Sequence, residues 1–258
     1  MNCNTNNIFS DYDNKPFNFN CYNGIPCFNK CCAGLKLILT PYDILRIKTY
    51  LGISSDNFLD KYTNTIFKTG YRFPFLKLAM NSEKNDICHF VTDQGCSIYE
   101  NRPAACRLYP IGRAATTIDG KNNPHEKYFF VREKHCLGFK EDKSWTINDW
   151  INHEKAGKYI AMNDQWLHII TASKKLGKEK AIQKIQMFYM ASYNTDKFRA
   201  FIFGSNFFHH FKVTSTLKES LAHNDIELLK FGFKWLRFSL FGDKTILSDQ
   251  CFTLREPI

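Results

Sequence analysis

Cys21-Tyr22-Asn23-Gly24-Ile25-Pro26-Cys27-Phe28-Asn29-Lys30-Cys31-Cys32 packs four cysteines among Asn, Gly and Pro. Turn formers dominate and apolar side chains are few. The stretch through residue 36 therefore reads as a folded loop that neither a helix nor a strand ladder orders. Working outward, Cys88, Cys96, Cys106 and Cys136 join these four, while Cys3 and Cys251 lie far outside the window from Cys21 to Cys136. Cytosolic thiols are kept reduced, so cysteines gathered this way point to metal binding or catalysis before disulfides.

Thiolates favour soft or borderline metals: a structural zinc site takes four ligands, with sulfurs at ~2.3 Å, and iron–sulfur clusters usually take four cysteines. Eight cysteines can supply two complete sets, or one set with the rest in redox or packing roles. The spacing Cys27-x3-Cys31 suits a zinc knuckle; Cys21-x5-Cys27, Cys88-x7-Cys96 and Cys96-x9-Cys106 do not. The two-residue gaps of ferredoxin-type runs are missing. Cys31 and Cys32 are chain neighbours whose Cα atoms are held ~3.8 Å apart, below the usual disulfide range. Their side chains are expected to diverge. Two different metals, or one ligand and one free thiol, suit such a pair better than one shared centre. The bland alternative is a pair of small buried hydrophobes.

The pattern resembles a known family at this point. Cys21, Cys27, Cys31 and Cys32, then Cys88-His89-Phe90, then Cys96-Ser97-Ile98-Tyr99-Glu100-Asn101-Arg102-Pro103-Ala104-Ala105-Cys106-Arg107-Leu108-Tyr109-Pro110, are similar to the YkgJ-type cysteine-cluster family, with Cys136 in the place of its later cysteine. The resemblance covers about residues 21–140; the continuation is similar to longer bacterial members without an assigned function. It implies a zinc- or iron-chelating domain, with Cys21, Cys27, Cys31, Cys32, Cys88, Cys96, Cys106 and Cys136 as metal ligands. The cofactor would be an iron–sulfur cluster or zinc. The family's first cysteines commonly stand two residues apart, whereas the gaps here are five and three. The family is also related to a flagellin lysine methylase. No glycine-rich S-adenosylmethionine loop is visible, so methyl transfer rests on relationship alone.

Under the same reading Arg102 and Arg107 would donate hydrogen bonds or offset thiolate charge, unless they pair at the surface with Glu100. Pro103 would stiffen the link from Cys96 to Cys106. His89 and His135 flank cysteines, but adjacent residues point apart, so both are read as exposed or supporting histidines. His209 and His210 belong to an aromatic run, and Trp145, Trp150, Trp166 and Trp235 fall at helical positions as core contacts.

The remaining features set bounds. Of 258 residues, 44% are hydrophobic and 23% charged, which is globular usage. The net charge of +10 has no basic arm or like-charge run behind it. A solvated basic surface is favoured over a nucleic-acid site. No apolar run is long enough to span a membrane, and the first residues carry no secretory pattern, so a cytoplasmic chain is expected. Nucleophile triads, a P-loop and a dinucleotide fingerprint are absent.

Thr40-Pro41 predicts a helix ending at Gly52, and Ser54 or Ser55 caps a second. Thr69 to Leu78 has strand character, with Pro74 predicting an edge or bulge. Residues 88–99 predict a hairpin turning at Asp93-Gln94-Gly95, and Tyr128 to Arg132 another strand. After Ser144 the pattern is helical: Thr146 onward to Leu176, Lys178 to Tyr193, and a helix capped by Asn224 with two apolar stripes. The expected fold is α+β: an irregular leader (1–20), an irregular cysteine-rich metal-binding module with short strands (21–140), and a mainly α-helical module packed on it (141–258).

Functionally, the expectation is a metal-binding cysteine-cluster protein with a redox or methyl-transfer role open to it. The alternative is a non-enzymatic, zinc-stabilised interaction module. Whether the chain is an enzyme is left open, and the partner, protein or small molecule, is not readable.

Overall fold

A computed structural model of the chain describes residues 8–67, 69–117, 124–177, 179–244 and 252–254. Ten helices are present among them: α1 (Pro41–Leu51), α2 (Ser55–Tyr62), α3 (Ala104–Leu108), α4 (Ile147–His153), α5 (Gly157–Ile170), α6 (Ala181–Tyr193), α7 (Thr195–Gly204), α8 (Phe207–His210), α9 (Ser215–His223) and α10 (Asp225–Phe241). The strands are short, antiparallel and mostly in the N-terminal part, so the fold is α+β. Cys3 and Cys251 lie outside the described residues.

Local signals set the helix ends. Thr40 accepts from the Asp43 N–H at 3.3 Å, and Asp43 accepts from the Thr40 N–H at 2.8 Å. This reciprocal cap opens α1 with Pro41 at its first position. Gly52 closes the helix at φ 64°, where its missing Cβ avoids strain. Ser54, Thr146 and Asn224 likewise cap α2, α4 and α10.

Four expectations change. Residues 1–20 were expected to be irregular, yet Phe9–Asp11 pairs with Phe129–Val131, and Phe17–Asn18 pairs with Ser144–Trp145. The cause is burial: Phe17 and Phe19 enter a small core with Ile111, Phe130, Ile147 and Trp150. The strand after Pro74 was expected at an edge, but Phe75–Leu78 is the middle strand between Ile38–Leu39 and Thr63–Ile66. Pro74 precedes the ladder, so its missing N–H costs no pairing. The hairpin is shorter than 88–99: Val91 faces Cys96 and Thr92 faces Gly95, while Cys88 pairs instead with Met80. Trp145 sits in a strand and not in a helix, whereas Trp150, Trp166 and Trp235 are buried helical residues.

The larger core runs through both parts of the chain. It joins Leu39, Ile44, Ile47, Phe58, Phe73 and Leu76 to Trp166, Phe188, Phe198, Leu229, Phe233 and Leu236. Phe73 stacks on Phe188 at 4.0 Å, and the Tyr193 hydroxyl donates to the Pro74 carbonyl at 3.2 Å. On α10, Phe231, Trp235, Leu229, Phe233 and Leu236 are all buried, as two apolar stripes require. No helix among the described residues is long and apolar enough to cross a membrane.

A charged junction fastens the helices. Lys48, 5% exposed, meets Asp196 at 2.9 Å and Asp225 at 3.3 Å, and Asp196 also accepts from the Ser55 N–H at 2.6 Å. Partial burial pushes the Asp196 carboxyl up, but the Ser55 and Lys48 bonds outweigh it and hold the group below the usual carboxylate range. A depressed folded pKa contributes stability above the unfolded value, about 3.9, that disappears as pH falls through the folded one. Asp196→Asn is therefore expected to flatten the fall in melting temperature below about pH 4. Thermal melts at stepped pH check this; parallel wild-type and variant curves would refute it.

Candidate metal centre

The segment carrying Cys96 and Cys106 is anchored on all sides. The buried Asp43 carboxylate accepts from the Ala104 N–H at 2.7 Å, which ties the start of α3 to α1. Arg46 donates to Asn101 at 2.5 Å. Arg102 forms a buried ion pair with Glu154, donates to the Tyr99 carbonyl at 2.6 Å and lies 3.7 Å over the Tyr99 ring. Arg107 donates to the Glu154 carbonyl at 2.5 Å and the Glu100 carbonyl at 2.8 Å. Neither arginine pairs with the Glu100 carboxylate, which faces Lys155 instead at 3.4 Å. Both are clamps on the end of α4, and Arg102 also lies close enough to Cys96 to favour its thiolate.

The loop holding the first four cysteines is clasped at both ends. Gly34 N–H donates to Asp86 O at 2.8 Å, Asn29 donates to Thr92 O at 2.9 Å, and Asn20 N–H donates to Gly138 O at 3.1 Å. Ile25 is buried as its apolar peg. The loop thus lies between the hairpin of Cys96 and the turn of Cys136, and one 3-10 turn, Lys30–Cys32, sets the adjacent pair between them.

All eight described cysteines are free thiols; four of them line one cavity and four lie beyond it, with Cys31 acting on members of both sets. Cys21, Cys27, Cys31 and Cys136 line one cavity of about 30 Å³, together with Phe19, Tyr109, His135 and Gly138. Burial of the sulfur pushes the Cys21 thiol up to about 11, with Cys31, Cys27 and Cys136 adding to the shift. Cys32, Cys88, Cys96 and Cys106 make the second group. Burial raises the Cys106 thiol well above its ordinary range, reinforced by Cys88 and Cys96. Cys88 and Cys96 are also raised by burial.

Each of Cys31 and Cys32 is the strongest single influence on the other's thiol. Cys32 lowers the Cys31 thiol, and Cys31 raises that of Cys32. The two sets adjoin at this pair, since Cys31 also acts on Cys96 and Cys106.

The donor set suits a thiophilic cation. Amide N–H groups are turned on the sulfurs: Leu137 donates to Cys27 Sγ at 3.3 Å, Phe90 and Val91 favour the Cys88 thiolate, Ile98 that of Cys96, and Gly138 that of Cys136. Such donors stabilise thiolate and not thiol, against the burial that opposes it. Among the described residues no three His, Cys, Asp or Glu side chains already stand in metal-holding geometry. Closing either group on one ion requires its thiols to turn inward.

The histidines stay at the margin. His135 lines the first cavity but is exposed and meets Glu133 at 3.1 Å; His89 is exposed against the Tyr62 ring. His209 and His210 end α8, whose Phe207 packs on Phe211 at 4.7 Å. Sequence reasoning passed over three residues here. Asp43 is visible as a helix cap but not as an anchor for Ala104, and Glu154 carries no local signal. Tyr109 was quoted within the motif without a role, yet its hydroxyl is buried, lacks a partner in full hydrogen-bond geometry, and lies beside Cys136.

The comparisons with known proteins come to one match. A family model named CxxCxxCC, described as a "Putative zinc- or iron-chelating domain", matches residues 20–143. No curated protein matches the chain, and no solved structure does.

Proposed function

We propose, from the premise that residues 20–143 belong to the zinc- or iron-chelating CxxCxxCC family, that the chain holds metal in two adjacent four-thiol groups of unlike character. The inner group is Cys32, Cys88, Cys96 and Cys106; the outer group is Cys21, Cys27, Cys31 and Cys136. The observation that carries this reading is the cavity lined by Cys21, Cys27, Cys31 and Cys136, beside which Cys32, Cys88, Cys96 and Cys106 stand as four further free thiols.

The inner group ties the loop, the hairpin and α3 together, so its role is structural. The outer group opens on a cavity and has the exposed Cys21 at its mouth, which suits it to ligand exchange. When bound, an iron–sulfur cluster would supply one-electron exchange, whereas zinc would supply a fixed, redox-silent charge. The residues of the chain do the rest: the turned amides and Arg102 favour the thiolate forms, and the Arg102–Glu154 pair holds the Cys96–Cys106 segment in place.

Anaerobic purification followed by metal and acid-labile sulfide analysis tests the reading. Iron with sulfide supports a redox centre, and stoichiometric zinc without sulfide supports the interaction-module alternative. Protein that takes up neither metal after reduction would end the metal reading.

A further inference from the structure

The Tyr109 hydroxyl has no explanation in packing. Its ring meets Phe19 edge-on at 5.9 Å, and a phenylalanine would fill that space equally well. The oxygen is buried without a partner in hydrogen-bond geometry, on the wall of a cavity whose other polar lining groups are Cys21, Cys27, Cys31, Cys136 and His135. A buried hydroxyl left unpaired is costly, and a native structure ordinarily gives such a group a use. A thiol is a poor acceptor. A metal-bound thiolate, carrying negative charge in a low-dielectric pocket, is a good one.

The backbone holds Tyr109 to this position. Its N–H donates to Ala105 O at 3.1 Å at the end of α3, and Trp150 donates to the neighbouring Leu108 O at 2.9 Å. The main chain at Tyr109 is thereby fixed at the end of that helix, beside the cavity wall.

We infer that Tyr109 is a positioning residue of the outer group, donating its O–H to the metal-bound thiolate of Cys136. This rests on the outer group holding metal as proposed above. Four thiolates on one divalent ion leave excess negative charge, and a single donor aimed at one sulfur both offsets that charge and fixes that side chain's orientation.

Cobalt(II) added to reduced, anaerobic protein is the probe, because its thiolate-to-metal charge-transfer band reports on the sulfurs themselves. Tyr109→Phe is expected to keep the wild-type circular dichroism and melting temperature. Its band should move to longer wavelength, since a thiolate without its hydrogen bond gives up electron density more readily. Cobalt affinity at the outer group should fall by about 10-fold. In a Cys136→Ala background, which keeps only the inner group's band, the same tyrosine change should leave that band unmoved. An unchanged band and affinity in Tyr109→Phe would overturn the inference while leaving metal binding intact. So would an equal effect with and without Cys136, which would mark a packing role. Wild-type protein that binds no cobalt would overturn the metal reading and this inference with it.

Discussion

Cys106→Ala is expected to halve the bound metal and to lower the melting temperature sharply, whereas Cys136→Ala should halve the metal with a much smaller loss of stability. The difference follows from what each group joins. Cys106 sits on α3, whose start is fixed by Asp43 and whose end is fixed by Trp150. Its group reaches the loop through Cys32 and the hairpin region through Cys88 and Cys96. Metal holding such remote segments contributes folding energy directly, on the order of 10 kcal/mol for structural zinc. Cys136 lies at the margin, beside exposed His135 and Cys21. Metal analysis and melting curves with and without chelator check the contrast. Complete metal loss in both variants would mean one shared centre, and equal destabilisation would remove the distinction between inner and outer groups.

Glu154→Ala should be among the most damaging single changes away from the cysteines, costing about 3–5 kcal/mol. Arg102 and Glu154 are 7% and 6% exposed, so the change strands a charged guanidinium in the interior. The Arg107 bond runs to the Glu154 backbone carbonyl and survives the substitution. Arg102→Met combined with Glu154→Ala should recover much of the loss, because no charge is then left unpaired. Urea unfolding midpoints decide it. A cost below about 1 kcal/mol for the single variant would show the pair to be solvated after all.

The sequence reading succeeds where the physics is local. Thr40, Ser54, Thr146 and Asn224 each cap a helix by bonding an N–H within three residues, so neighbours in the chain carry the whole signal. The cysteine loop is legible for the same reason, through its Gly, Pro and Asn content. What escapes is pairing at a distance. Nothing near Phe9 says that it faces Val131, or near Phe17 that it faces Trp145. The Arg102–Glu154 pair, the Asp43–Ala104 bond and the place of Tyr109 are equally remote in sequence.

Helix α3 carries Cys106 to the inner group and delivers Tyr109, three residues on, to the outer cavity. One short element therefore serves both groups, so filling one is expected to favour filling the other. A metal in the inner group would add a sulfur tether to the Asp43 and Trp150 anchors of α3, and so steady the hydroxyl that it presents to the outer cavity. Filling acquires a sequence: the inner group first, the outer group afterwards and more tightly than it would bind alone. A stepwise metal titration should accordingly occupy the thiols in that order.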